Sequence, residues 1–170
     1  MACFEACAGE GWLADGVISQ SDRQIAELWR YREGISESIA HFPPYKNDLS
    51  VTVSQVPEFL RRMGELTDEI CPGFDVVWYG HIGDGNLHMN ILKPAEMELS
   101  EFEQRSHDIS DRTYALTCEL GGSISAEHGI GLLKRPWLNR VRSAAEIEHM
   151  QSIKRVFDPT TIFNPGTLLP

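Results

Sequence analysis

The segment from Phe74 to Leu92 reads FDVVWYGHIGDGNLHMNIL. Its first half, Phe74 to Ile82, is rich in β-branched and aromatic residues and is the strongest strand signal in the chain. Asn86 to Leu92 is a second β-like run, and Asp84-Gly85 between two such runs predicts a hairpin. A two-residue turn there pairs Gly83 with Asn86, Ile82 with Leu87 and His81 with His88. Side chains alternate along a strand, so His81, Asn86, His88 and Asn90 share one face, while Ile82 and Leu87 point into a core. Directly opposed Cβ atoms lie about 5 Å apart, close enough for two imidazoles to share a metal ion. Two histidines alone make a weak site, so a third ligand is required. The competing reading is a solvated hairpin carrying two unrelated histidines.

Working outward, Asp15 to Ser19 is short and β-like. Ser21 and Gln24 form a capping box for a helix whose apolar stripe is Ile25, Leu28, Trp29, Ile35 and Ile39, ended by His41-Phe-Pro-Pro44. Leu49 to Ser54 alternates as a strand. Pro57 opens a helix with Phe59, Leu60, Met63, Leu66 and Ile70 on one face, closed by Cys71-Pro72-Gly73. Ser100 with Glu103 caps a long helix bearing Phe102, Ile109, Leu116 and Leu120, and Gly121-Gly122 stops it. Ser123 to Ala126 is a short strand. Ser143 with Glu146 caps a last helix carrying Ile147, Met150, Ile153 and Phe157, which Asp158-Pro159 ends. Strands and helices mixed with a hairpin predict an α+β fold with a largely antiparallel sheet and helices packed on one face.

The 170 residues suffice for one domain with a core. A formal net charge of −10 argues against a nucleic-acid partner, which needs clustered Lys and Arg. No apolar run approaches the roughly 20 residues of a membrane span, and the first residues lack the pattern of a signal peptide. Four cysteines, Cys3, Cys7, Cys71 and Cys118, make no disulfide scaffold in a chain this long. Cys3 and Cys7 have a spacing that could hold a metal, but reduced thiols in the cytoplasm are the expectation.

Two further features carry chemistry. Glu127-His128 leaves a short strand and enters Gly129-Ile-Gly131, where small residues let the backbone turn tightly. A carboxylate is the expected partner of two imidazoles around an open metal site, and His128 has the pKa range of a general base. The plainer alternative is a helix-terminal acid beside a surface histidine. Arg32 falls on the apolar helix stripe, with Ser36 one turn further on. An inward arginine is costly unless paired, so it grips a ligand carboxylate, pairs with a protein carboxylate or snorkels to water. Lys46 adds a second positive charge.

The motifs GHIGDGNLH, AEHGIG and FDPTTIFNPG resemble the C-terminal domain of FAD-linked oxidases over essentially the whole chain. LWRYREGIS and YKNDLSV resemble most the D-2-hydroxyglutarate dehydrogenase branch. The resemblance implies a ferredoxin-like substrate domain over residues 1–170, N-terminally truncated and without the flavin-binding domain. It implies His81, His88 and Glu127 as ligands of a divalent metal, zinc or manganese. It implies His128 as the catalytic base, and Arg32, Ser36, Lys46 and Asn90 as substrate-binding residues. Asn164 would lie near the flavin ring. The implied reaction is FAD-dependent oxidation of a D-2-hydroxy acid, such as 2-hydroxyglutarate or lactate, to the 2-oxo acid. The chain alone would not turn over, and a flavin-domain polypeptide is the implied partner. The electron acceptor stays open. The alternative is a stand-alone metal- and carboxylate-binding module, or an inactive fragment.

Overall fold

The computed structural model describes residues 2–167 and 169, in two units, residues 1–38 and 39–170. The first unit contains α1 (Ala2–Gly9), α2 (Asp22–Glu33) and α3 (Ile35–Ser38). Ser21 accepts a hydrogen bond from the Gln24 N–H, as expected. The return bond differs: Gln24 Oε1 accepts from the Gln20 N–H, one residue before the cap. The single predicted helix is broken at Gly34, whose N–H caps α2 by donating to the Arg30 carbonyl. Ile25, Leu28 and Trp29, expected to face a core, are exposed. Residues 15–19 form no strand, since a β segment needs a neighbour to satisfy its backbone and this unit has none among its described residues.

The second unit is built on an antiparallel sheet in the order β1 (Tyr45–Ser50), β3 (Asn86–Ile91), β2 (Val76–His81). The central strand β3 is buried at every position. Its odd-numbered residues Leu87, Met89 and Ile91 face the core with Leu49 of β1 and with Val76 and Trp78 of β2. Against that face pack α4 (Val56–Ile70) and α5 (Leu99–Glu119), which contribute Phe59 and Met63, and Phe102, Ile109 and Leu116. The α+β reading with helices against one sheet face therefore describes the fold. The unit ends with α6 (Leu138–Val141) and α7 (Ala144–Phe157). The Ser143–Glu146 capping box of α7 is present in both directions.

Several boundaries differ from expectation. The strand expected over residues 49–54 lies at Tyr45–Ser50, and the chain then makes a 3₁₀ turn at Val53–Gln55 into α4. Residues 123–126 contribute a single bridge, Ser50 to Ser123. α5 starts at Leu99, so Ser100 lies inside its first turn rather than at its cap.

The hairpin register is also corrected. His81 faces Asn86, Gly80 faces Leu87 and Tyr79 faces His88. A two-residue type I′ turn needs positive φ at both central residues. Gly85 adopts it, at 68°, but Asp84 does not and instead ends a 3₁₀ turn over Ile82–Asp84. The connection is therefore four residues long, and Ile82, expected in the core, sits on it 62% exposed. The slip is an even number of residues, so every side chain on β2 and β3 keeps its face.

Two substitutions test these placements. A Cβ on Gly85 would lie 1.8 Å from the Val51 carbonyl oxygen, which nothing but a backbone shift relieves. Gly85→Ala should therefore lower unfolding free energy in urea by more than about 1 kcal/mol. Asp158, at the end of α7, accepts from Lys154 Nζ at 2.6 Å and from the N–H groups of Ile162 and Phe163. The Lys154 contact, helped by those N–H groups, holds its carboxyl below the usual range. A depressed carboxyl stabilises the fold above its unfolded pKa, near 3.9, and loses that contribution as pH falls through the folded value. The stability gap between the wild type and Asp158→Asn should thus be constant at neutral pH and close below about pH 4; urea melts across that range measure it.

Candidate metal centre

Opposite the core, the sheet presents a polar face. Its three rows are Lys46–Asn90–Val77, Asp48–His88–Tyr79 and Ser50–Asn86–His81. In the middle row the His88 ring lies 5.1 Å from the Tyr79 ring. His88 directs Nδ1 toward Asp48 Oδ1 at 3.6 Å and Nε2 toward Glu127 Oε1 at 3.1 Å. His128 stacks on His88 with ring centroids 5.4 Å apart.

Asp48 organises this cluster. Its Oδ2 accepts the backbone N–H of Glu127 at 3.0 Å and of His128 at 2.8 Å, and the Ser125 hydroxyl at 3.3 Å. The buried Lys134 ammonium lies 3.8 Å from the same oxygen and donates to the Asp48 carbonyl. These bonds fix the loop after Ser123 above β1 and β3. One donor atom each from Asp48, His88, Glu127 and His128 falls within 4.8 Å of the others.

The electrostatics follow from burial. Desolvation pushes the Asp48 carboxyl up, but the His128 and Glu127 N–H groups, with Lys134, outweigh it and hold the group below the usual carboxylate range. Burial holds the His88 imidazole below its ordinary value despite Asp48 and Glu127. Burial likewise lowers Lys134, opposed by Asp48. At neutral pH the set therefore offers a neutral imidazole lone pair beside an ionised carboxylate. Asp48 Oδ1, Asn86 Oδ1 and both polar atoms of Asn90 are buried without a hydrogen-bond partner. Buried orphans of this kind ordinarily have a partner, and oxygen and imidazole donors suit a divalent cation. The donor set fits such an ion.

Of the residues expected from sequence, His88, Glu127 and His128 are brought together. His81 shares their sheet face one row away, opposite Asn86, outside the converging four but near enough for its charge to act on His88. Lys46 and Asn90 form the adjacent row. Arg32 lies in the last turn of α2 and Ser36 in α3, both half-buried in the first unit. Asn164 is exposed in a turn with φ of 47°. Cys3, Cys7, Cys71 and Cys118 are all free thiols. Sequence reasoning missed Asp48 and Lys134. Asp48 fell just outside the strand expected to begin at Leu49; the available signal was an acidic residue in phase with Lys46 before an apolar run. Lys134 carried none.

FAD linked oxidases, C-terminal domain, is the family whose pattern matches residues 1–168. The chain belongs to this family. It is 51% identical over 168 residues to a D-2-hydroxyglutarate dehydrogenase of Stutzerimonas stutzeri, covering 99% of this chain and 36% of that protein. The same identity and coverage hold for a D-2-hydroxyglutarate dehydrogenase of Xanthomonas citri. A mitochondrial D-2-hydroxyglutarate dehydrogenase of Arabidopsis thaliana is 36% identical over 167 residues, covering 95% of this chain and 28% of that protein. The chain thus spans about a third of the length of these curated relatives. Within this FAD-linked oxidase domain, no helix among the described residues is long and apolar enough to cross a membrane.

Removing Asp48 would strand the buried Lys134 charge and two loop N–H groups at once. Asp48→Ala should cost about 3–5 kcal/mol, the range for breaking a buried charge pair. Lys134→Ala should cost less, because Asp48 keeps its N–H donors. Denaturant titration of the two variants gives the order.

Proposed function

We infer that this chain is the substrate- and metal-binding part of an FAD-dependent oxidoreductase that converts a D-2-hydroxy acid to its 2-oxo acid. The observation that carries this reading is the convergence of His88, His128, Asp48 and Glu127 on a sheet face with orphaned buried amides. Its support from relatives is the activity for which the D-2-hydroxyglutarate dehydrogenases it resembles are named.

In this reading His88 and Glu127 hold a divalent cation, zinc or manganese, and His81 joins them from the next row. A cation held there by His88, Glu127 and His81 would supply Lewis-acid chemistry at the hydroxyl, and a flavin would supply the hydride acceptor. The chain's own residues do the rest. His128, half-exposed, takes the hydroxyl proton as the C2 hydrogen leaves with its electron pair. Asn90 and Lys46 hold the substrate from the adjacent row, where the Lys46 ammonium suits a carboxylate such as that of 2-hydroxyglutarate or lactate. Asn164 would lie near a flavin held mainly by a flavin-binding domain. Free thiols fit a reducing compartment such as the bacterial cytoplasm, though curated relatives include mitochondrial proteins.

The test is metal content after dialysis against zinc or manganese, followed by calorimetric titration with D-2-hydroxyglutarate and D-lactate. The wild type should bind one ion and then a hydroxy acid. His88→Ala and Glu127→Ala should lose the ion, and His81→Ala should weaken it 10-fold or more, the scale of losing one ligand or its support. Wild-type protein that binds neither metal nor hydroxy acid would remove this reading.

A further inference from the structure

We propose that Asp48 is a positioning residue that fixes the tautomer of His88, placing the proton on Nδ1 and leaving the Nε2 lone pair aimed at Glu127. This inference rests on the metal-site reading above.

The geometry divides the carboxylate into two jobs. Oδ2 is occupied by the Glu127 and His128 N–H groups and lies beside Lys134. Oδ1 has no hydrogen-bond partner and faces His88 Nδ1 at 3.6 Å. A neutral imidazole carries one N–H, and whichever nitrogen bears it cannot also donate a lone pair to a metal. Two acceptors compete for that proton. Glu127 Oε1 is nearer, at 3.1 Å from Nε2, but its side chain is 49% exposed and water can serve it. The Asp48 side chain is 1% exposed, and an unsatisfied buried acceptor is costlier than an exposed one. Burial therefore decides for Nδ1–H, and a modest closing of the 3.6 Å gap completes the bond. Metal-bound histidines recurrently hand their second nitrogen to a carboxylate in this way. Here the same carboxylate also holds the loop that supplies Glu127, so one side chain aims both ligands.

Asp48→Asn gives a sharp expectation. Two loop N–H groups demand an acceptor at the Oδ2 position, so the amide oxygen goes there and the NH₂ takes the place of Oδ1. That donor facing Nδ1 forces the opposite tautomer, with the proton on Nε2.

The experiment uses the ¹⁵N-labelled full chain, chelator-treated, at mildly alkaline pH where imidazoles are neutral. Long-range proton–nitrogen spectra report the tautomer of each histidine, with His88 assigned by the spectrum of His88→Ala. The wild type should show His88 as Nδ1–H, and Asp48→Asn should show Nε2–H with zinc affinity lower by 10- to 100-fold. Retained amide dispersion in Asp48→Asn separates this from unfolding. A wild-type His88 in the Nε2–H form overturns the proposal, and needs no variant to do so. An unchanged tautomer in folded Asp48→Asn overturns it as well. Wild-type Nδ1–H with no zinc binding supports the positioning role while the metal reading falls.

Discussion

One buried carboxylate, Asp48, accepting two successive backbone N–H groups from the loop at Glu127 and His128 holds the site together. The loop arrives 79 and 80 residues later in the chain, and no helix or strand spans its Glu127-His128 portion. Its backbone donors would otherwise need water or neighbours. By taking both, Asp48 converts a flexible glycine-flanked connection into a fixed platform for one carboxylate and one imidazole. Lys134 keeps the arrangement close to charge balance, since a lone carboxylate so deep would be expensive.

The sheet makes this possible because it has two unlike faces. On one, Leu49, Leu87, Met89 and Ile91 pack under α4 and α5 and supply the hydrophobic driving force. On the other, the same three strands present Lys46, Asp48, Asn86, His88, Asn90 and His81 in three rows. The core side sets the register rigidly, and that rigidity carries through the backbone to the polar side. Polar side chains on the central strand are consequently buried without being free to search for partners. That is the state in which Asn86 and Asn90 are found, and it sets this face apart from an ordinary wet sheet face.

Electrostatically the cluster is poised for a cation. His88 is kept neutral by its burial even with two carboxylates at hand, while Asp48 is kept ionised by N–H groups and an ammonium. Neutral imidazole and anionic carboxylate are the protonation states a metal requires of its ligands. His128 is stacked on His88 and half-exposed, so its ring borders both the cluster and solvent.

The α+β class, the hairpin from Phe74 to Leu92, the helix under Phe59 and Met63 and the Ser143 cap were all legible, because each rests on local periodicity or on a side chain bonding its own neighbourhood. So was the grouping of His81, Asn86, His88 and Asn90 on one face, which depends only on the alternation of a strand and survives a slip of two residues. Tertiary structure decided what local pattern leaves open. It set the register, because Gly85 is clamped against Val51 and only one residue of the turn takes positive φ. It joined β1 to β3, so that Asp48 lies beside His88, and it brought the Glu127 loop over both. Those contacts join residues far apart in the chain, and their energy resides in burial and in hydrogen bonds that exist only once the sheet has closed.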